Sequence, residues 1–400
     1  MRDLTFIDDL KLRASAGVTG VQNFGSYTNR DLYSSGSYND GSTIYHSRVG
    51  NHDIRWEKST QYDLGLDFSF LNSRIRGSLS GYWKVTNDLI WSFSFPSSAT
   101  SGTMSRNIGA VRNAGVELNV TGRVIDTRDW NLELTLNMSH NRNKVTRLVE
   151  EGRAQSAMTE VVQGSGNQVL VEGYPMGVFF GYKYNGIIQS QARVDELNAY
   201  AQSMGNSYYD SNTLKPGHLE IADLNGDGII NYYDRTVIGS PEPDVYGGLI
   251  ANLGYKDFTL FCNFGYQIGG KKLYTKALQN LPGQLTGLID YGLNDRWTPQ
   301  NPDAKYPALY IGDGVPKLTD HQLFDSSFFR LQEVRLSYNL PLGRVARGSL
   351  FVSATNLFTI TSYPGTDAAT VNQASNYGGN YETSNYPGLR SFSAGVQITL

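Results

Sequence analysis

Alternation of apolar and polar residues over about nine to twelve positions recurs along this sequence of 400 residues. In YDLGLDFSF, Tyr62, Leu64, Leu66, Phe68 and Phe70 fall on one side and Asp63, Gly65, Asp67 and Ser69 on the other. AGVELNVTGRV sets Val116, Leu118, Val120 and Val124 against Glu117, Asn119, Thr121 and Arg123. WNLELTLNMS repeats the pattern from Trp130 to Met138, and similar runs span Leu249 to Tyr255, Phe258 to Tyr266, Val334 to Leu340 and Phe392 to Leu400. Successive side chains of an extended strand point to opposite faces, so each run is a strand with one apolar side. The fold class is all-β.

Strand length decides which solvent that apolar side meets. Strands of a soluble sandwich run about 5–6 residues, whereas about 9–11 tilted residues cross a bilayer. The runs here have the second length. Charges sit in mid-strand on the polar side, at Asp67, Glu117, Glu133 and Arg335, which suits the watery or plugged lumen of a membrane barrel. Aromatics gather near strand ends, among them Tyr62, Phe70, Trp83, Trp130, Tyr255 and Tyr338. Girdles at two membrane interfaces produce this, although strands are enriched in aromatics generally. Charged residues are 18% of the chain, below the roughly 25% of a soluble domain. A transmembrane antiparallel β-barrel accounts for these features better than a sandwich.

The connectors divide by length in the same way. LNSR (71–74), VIDTRD (124–129), KD (256–257) and PLGRVARG (341–348) are short; residues 21–60, 86–113, 142–177, 185–245, 268–327 and 358–389 are long. Outer-membrane barrels combine short periplasmic turns with long extracellular loops. The long segments are rich in Gly, Ser, Asn and Tyr, as in SYTNRDLYSSGSYNDGSTIY and ASNYGGNYETSNYPG. That composition serves contact surfaces and equally serves flexible, soluble loops. The last strand, SAGVQITL, ends on alternating hydrophobics at Ile398 and Leu400 in the manner of barrel insertion signals, with Leu400 where an aromatic is usual.

Several function classes fall away. A net charge of −3 gives no electrostatic footprint for nucleic acid. One cysteine, Cys262, allows neither an internal disulfide nor a thiolate metal cluster. Five histidines (His46, His52, His140, His218, His321) lack ligand spacing. No G-x-S-x-G elbow, phosphate-binding loop or dinucleotide fingerprint is present, and GGKK at 269–272 lacks the remaining residues of a phosphate loop. The residues point to no enzyme. No apolar run reaches the ~18 residues of a membrane helix, and Asp3, Asp8 and Asp9 fall where the apolar core of a signal peptide would lie.

One motif stands apart from the strands. DLNGDGIINYYD, residues 223–234, places oxygens at Asp223, Asn225 and Asp227, with Gly228 at the sixth position for a sharp turn. The Ile229 carbonyl takes the seventh position, Asn231 the ninth and Asp234 the twelfth. This is the order of an EF-hand or dockerin-like loop, with Asp in place of Glu at the end. Hard oxygen ligands select Ca²⁺ over a transition metal. The competing reading is an Asx-rich turn that holds itself by hydrogen bonds. A dockerin needs two such loops and paired helices; here there is one loop, followed by GSPEPD.

Longer stretches then resemble a family. LKLRASAGVTGVQN (10–23), IRWEKSTQYDLGLDFSFLNSRIRGSLSGYWKVTNDLI (54–90), NIGAVRNAGVELNV (107–120), DLNGDGIINYYDRTVIGSPEPDVYGGL (223–249), FFRLQEVRLSYNLP (328–341) and VSATNLFTITSYPGTD (352–367) are similar, in order, to the SusC/RagA-like branch of TonB-dependent outer-membrane transporters of Bacteroidota. The resemblance runs from about residue 10 to the end. It implies the C-terminal portion of a 22-stranded receptor barrel over residues 1–400, the plug and N-terminal strands being absent from this sequence. Residues 185–245 form an extracellular loop region with the calcium loop at 223–234. About eleven strands are expected, half of the barrel. The resemblance further implies uptake of oligosaccharides or peptides in the outer membrane, with a SusD-like surface lipoprotein as partner and energy from the TonB complex through the missing plug. The competing function is a soluble, secreted calcium-binding β protein with a recognition role.

Overall fold

The computed structural model describes residues 6–22, 24–39, 41–94, 103–148, 162–163, 168–209, 214–274, 295–308, 318–340, 347–370, 381–382 and 388–399. The chain divides into two compact units, residues 1–163 with 170–176 and residues 164–169 with 177–400.

Five long strands form the sheet of the first unit: β1 (Ile7–Val21), β2 (Glu57–Phe70), β3 (Ile75–Ser94), β4 (Thr103–Asp126) and β5 (Trp130–Arg147). Each pairs antiparallel with the next in sequence, a simple meander. The register puts Leu12 opposite Leu66 and Leu66 opposite Leu79, so the alternation read from the sequence stacks into one continuous apolar face. That face is bare: Leu12 is 70% exposed and Leu64 57%. A soluble domain does not leave a patch of this extent uncovered.

The opposite face carries a polar ladder. Arg13 lies across Gly65 and donates to Asp67 Oδ1 at 2.6 Å; a Cβ on Gly65 would stand 3.2 Å from the guanidinium, close enough that the arginine would have to shift slightly. Arg76 pairs with Glu133 at 3.2 Å, and Tyr82 donates to Asn141 at 2.8 Å. The mid-strand charges therefore occupy the face predicted for a lumen. The turn at 71–74 holds three left-handed residues, Leu71, Asn72 and Ser73, each at φ 58°. Asp8 offsets the cost by accepting the Asn72 amide at 3.2 Å and the Ser73 amide at 2.7 Å.

The connector expected over 86–113 is mostly strand. β3 and β4 stay paired out to Ser94 and Thr103, lengths of 20 and 24 residues against the ~9–11 a bilayer needs. A bulge explains why the alternation fails to announce this. Asp88 of β3, with φ 59°, and Ile108 of β4 fall outside the ladder, and each extra residue flips the phase of the side chains beyond it in its own strand. The expected loop at 21–60 contains a hairpin of strands Leu32–Tyr38 and Gly41–Arg48.

The second unit repeats the plan with β6 (Val245–Tyr255), β7 (Phe258–Ile268), β8 (Phe328–Leu340), β9 (Arg347–Thr361) and β10 (Ser391–Thr399), again an antiparallel meander. Tyr255 and Phe258 face each other across a two-residue turn, Lys256–Asp257. Leu336, Val352 and Ala394 align on one face, which extends bare to Phe392 at 74% exposure. Ten long strands are thus present among the described residues. Val178–Tyr182 is a short buried strand paired with Arg235–Gly239 and is not one of them. Among the described residues β1 pairs only with β2, and β10 only with β9. Most of PLGRVARG, most of ASNYGGNYETSNYPG and Leu400 lie outside the described residues.

Candidate functional site: the carboxylate loop and its subdomain

The described residues of 185–245, expected as an extracellular loop region, fold into a small subdomain with one helix and the short strands Leu219–Ile221 and Arg235–Gly239. Ser190 caps helix α1 (Gln191–Ser203) by accepting the Arg193 amide at 3.3 Å. Val194, Leu197 and Ala201 recur on one face and are buried. The helix stops at Gly205, φ +79°, where the amides of Gly205 and Asn206 return to the carbonyls of Gln202 and Ala201 at 2.9 Å each. This is the double bond of a Schellman ending. The buried face packs on Ile188, Tyr208, Tyr209, Leu219, Ile221, Ile230 and Trp297. Burial of each large apolar side chain contributes about 1.5–3 kcal/mol. Burial also raises the tyrosine hydroxyls of Tyr208 and Tyr209 above their ordinary range. Both remain satisfied, donating to the Ile221 and Leu219 carbonyls.

The carboxylate loop sits against the C-terminal turn of that helix. Gly228, φ +80°, lies so close that a Cβ would be 3.1 Å from Ala201 Cα and 3.2 Å from Met204 Cβ. Asn206 donates to the Asp227 carbonyl at 2.7 Å, and Tyr200 donates to Asp223 Oδ2 at 3.2 Å. The glycine placed sixth for a sharp turn is thus also a contact point between loop and helix.

Of the residues singled out in the sequence, Asp223, Asp227 and Asp234 converge, with carboxylate oxygens within 4.8 Å of one another. Asn225 joins them by a 2.9 Å bond from its amide to Asp227 Oδ2, while its oxygen accepts the Asp227 amide at 3.0 Å. Ile229 donates its backbone amide to Asp227 Oδ1 at 3.0 Å. Asn231 takes another role: it accepts the Tyr233 amide at 2.8 Å and caps the single turn Tyr232–Asp234. Asp234 is fully buried, its two oxygens accepting the amides of Leu224 at 2.9 Å and Asn231 at 2.8 Å.

Electrostatics separates the first and last carboxylates. Burial pushes Asp223 up, but the amides of Gly228 and Gly226 and the Tyr200 hydroxyl outweigh it and hold the group below the ordinary carboxylate range. Burial dominates at Asp234 and raises it; the amides of Asn231 and Leu224 offset part of this, and the Asp223 charge adds to it. Among the described residues no lysine or arginine forms an ion pair with these three groups. Each carboxylate oxygen keeps further lone-pair capacity beyond its amide bonds. A converging set of oxygen ligands with surplus negative charge fits a hard divalent cation.

A second polar cluster gave no sequence signal. Lys272 is fully buried and donates to the Asp367 and Thr370 carbonyls at 2.6 Å each, with its ammonium 5.0 Å from the Tyr363 ring centroid. Arg330 forms an ion pair with the buried Asp367. These partners lie about 95 and 37 residues apart, a separation that no local pattern reports.

The chain matches the family described as TonB dependent receptor-like, beta-barrel over residues 3–216. It is 30% identical to TonB-dependent receptor P3 of Formosa agariphila across 100% of the chain and 40% of that relative. It is 26% identical to TonB-dependent receptor SusC of Bacteroides thetaiotaomicron across 92% of the chain and 36% of that relative. Among solved structures, the RagAB peptide transporter superposes with a TM-score of 0.77 at 25% identity, over 99% of this chain and 41% of that one. The chain therefore spans about two fifths of the length of the relatives it matches. These relatives are receptors and transporters, not enzymes, and none of those named is a soluble recognition protein. The long meandering strands with one bare apolar face, and this similarity along the whole chain, establish that the protein belongs to the TonB-dependent receptor-like β-barrel family.

Proposed function

We propose that the chain is the C-terminal barrel part of a SusC/RagA-like outer-membrane transporter that imports oligosaccharides or peptides. The reading includes a SusD-like surface lipoprotein as partner and energy supplied by the TonB complex through a plug encoded outside these residues. The apolar faces of both sheets then meet lipid, and the polar ladder lines the lumen. The observation that carries the reading is the match over 99% of the chain to a solved peptide transporter, joined by sequence similarity to SusC. Cells of a Bacteroidota-like host deleted for the gene are expected to lose uptake of one oligosaccharide or peptide class, as are cells lacking TonB. Unchanged uptake of every class tested would overturn the reading.

Within that transporter the carboxylate loop serves as a structural Ca²⁺ site. Asp223, Asn225, Asp227, the Ile229 carbonyl and Asp234 would hold the ion. Its charge would offset the three clustered carboxylates and, through the buried Asp234, fix the loop against α1. Luminescence from Tb³⁺ displaced by Ca²⁺ tests binding at this loop.

A further inference from the structure

β8 and β9 share a defect near their loop-side ends. Register shifts between Leu331 and Glu333, leaving Gln332 out of the ladder, and Asn356 opposite adopts φ 53°. A left-handed non-glycine residue inside a strand is strained, and such strain collects at working sites. Asn356 lines a cavity of about 280 Å³ whose walls include Arg330, Thr359, Thr361, Asp367 and Arg390.

The cavity is built from charged groups held in place. Asp367 is 7% exposed; it accepts from Arg330 and from the Ala369 amide at 2.8 Å, and its carbonyl is gripped by Lys272. Arg330 Nε also donates to Thr359 Oγ1 at 2.9 Å. Asn356 donates to the Leu389 carbonyl at 3.2 Å, which fixes the backbone beside Arg390. Arg330 and Asp367 neutralise each other. Arg390 has no acidic partner among the described residues, so two arginines against one aspartate leave the cavity with one positive charge.

We infer that this cavity is a substrate subsite for a carboxylate group, borne either by a uronate sugar or by a peptide C-terminus, with Arg390 as its charged contact. A planar guanidinium matches a carboxylate bidentately. Thr359, whose hydroxyl accepts from Arg330, and Asn356, which gives one amide hydrogen to Leu389, each keep a donor for it. The inference rests on the transport reading and names the chemical feature that the transporter selects.

The test uses the native-length transporter with its lipoprotein partner, in detergent, and calorimetric binding of two probe pairs. One pair is an oligogalacturonide and its carboxyl-reduced form; the other is a short alanine peptide with a free or an amidated C-terminus. One acid is expected to bind at least about tenfold more tightly than its uncharged counterpart, the scale of a charge-assisted hydrogen bond. Arg390→Gln should abolish that difference, and Arg390→Lys should keep part of it. The pair that responds identifies the source of the carboxylate. Equal binding of acid and uncharged form, binding of neither acid, or a difference that survives Arg390→Gln would each overturn the subsite. Uptake of neutral oligomers or amidated peptides under those outcomes would leave the transport reading standing, so the two failures are distinguishable.

Discussion

Asp234 accepts the amide of Leu224 at 2.9 Å, a bond that closes the carboxylate loop from its last residue back to its second. With the carboxylate wholly buried, loop and subdomain core are coupled at that point. Asp223→Ala combined with Asp227→Ala is expected to abolish Ca²⁺ binding and to raise protease cleavage within 223–234. Heat-modifiable gel mobility of the barrel should remain. Loss of that mobility would show that the loop supports the barrel itself.

Gly228 predicts a second effect at the same contact. Its φ of +80° costs an L-residue about 1–2 kcal/mol, and its Cβ would press on Ala201 and Met204. Gly228→Ala should therefore speed hydrogen exchange in both the loop and the last turn of α1. Gly173, also at positive φ but with nothing within 4 Å of its Cβ, should be less sensitive. Equal responses at the two positions would contradict the contact.

His321 gives the subdomain a pH dependence. Burial holds its imidazole below the ordinary value near 6.5, with Asp320 and the Lys305 carbonyl pulling the other way. Tyr184 and Tyr306 flank the ring at 4.7 and 5.7 Å. The folded state binds this proton less readily than the unfolded chain, so stability is complete above 6.5 and declines as pH falls toward the lowered value. Proteolysis beside His321, within 318–325, should rise between about pH 7 and pH 5, and His321→Gln should flatten the profile. Greater resistance at the acid end would refute the assignment.

The two faces of β9 should respond oppositely to charge. Val352 lies on the bare apolar face and is 55% exposed, while Ser353 pairs with Arg335 on the other. In a lipid-embedded barrel Val352→Lys should cost up to about 2–4 kcal/mol, and a lumen-side substitution much less. Urea titration of the protein refolded in vesicles measures both. A similar cost for Ser353→Lys would argue against this inside-outside assignment.

The sheets were legible because period-two alternation depends only on neighbouring residues, as from Tyr62 to Phe70. Alternation stopped being readable at Asp88 in β3 and Ile108 in β4, where a residue outside the ladder reversed each strand's phase, and both strands ran on unannounced. The Asp223, Asp227 and Asp234 convergence was legible because its spacing is local. Helix α1 had readable signals in Ser190, Val194, Leu197, Ala201 and Gly205, but they lay in a segment taken for a loop. Lys272, Arg330 and Asp367 were not legible at all, since only the folded chain brings them together.

Both sheets, with their bare apolar faces, fit a barrel in the outer membrane. Membranes of the source cell, separated by density and probed for the native-length protein, test it most directly when samples are run with and without boiling. Recovery in the outer-membrane fraction and a mobility shift on boiling are expected. Recovery as a soluble protein with no shift would contradict it.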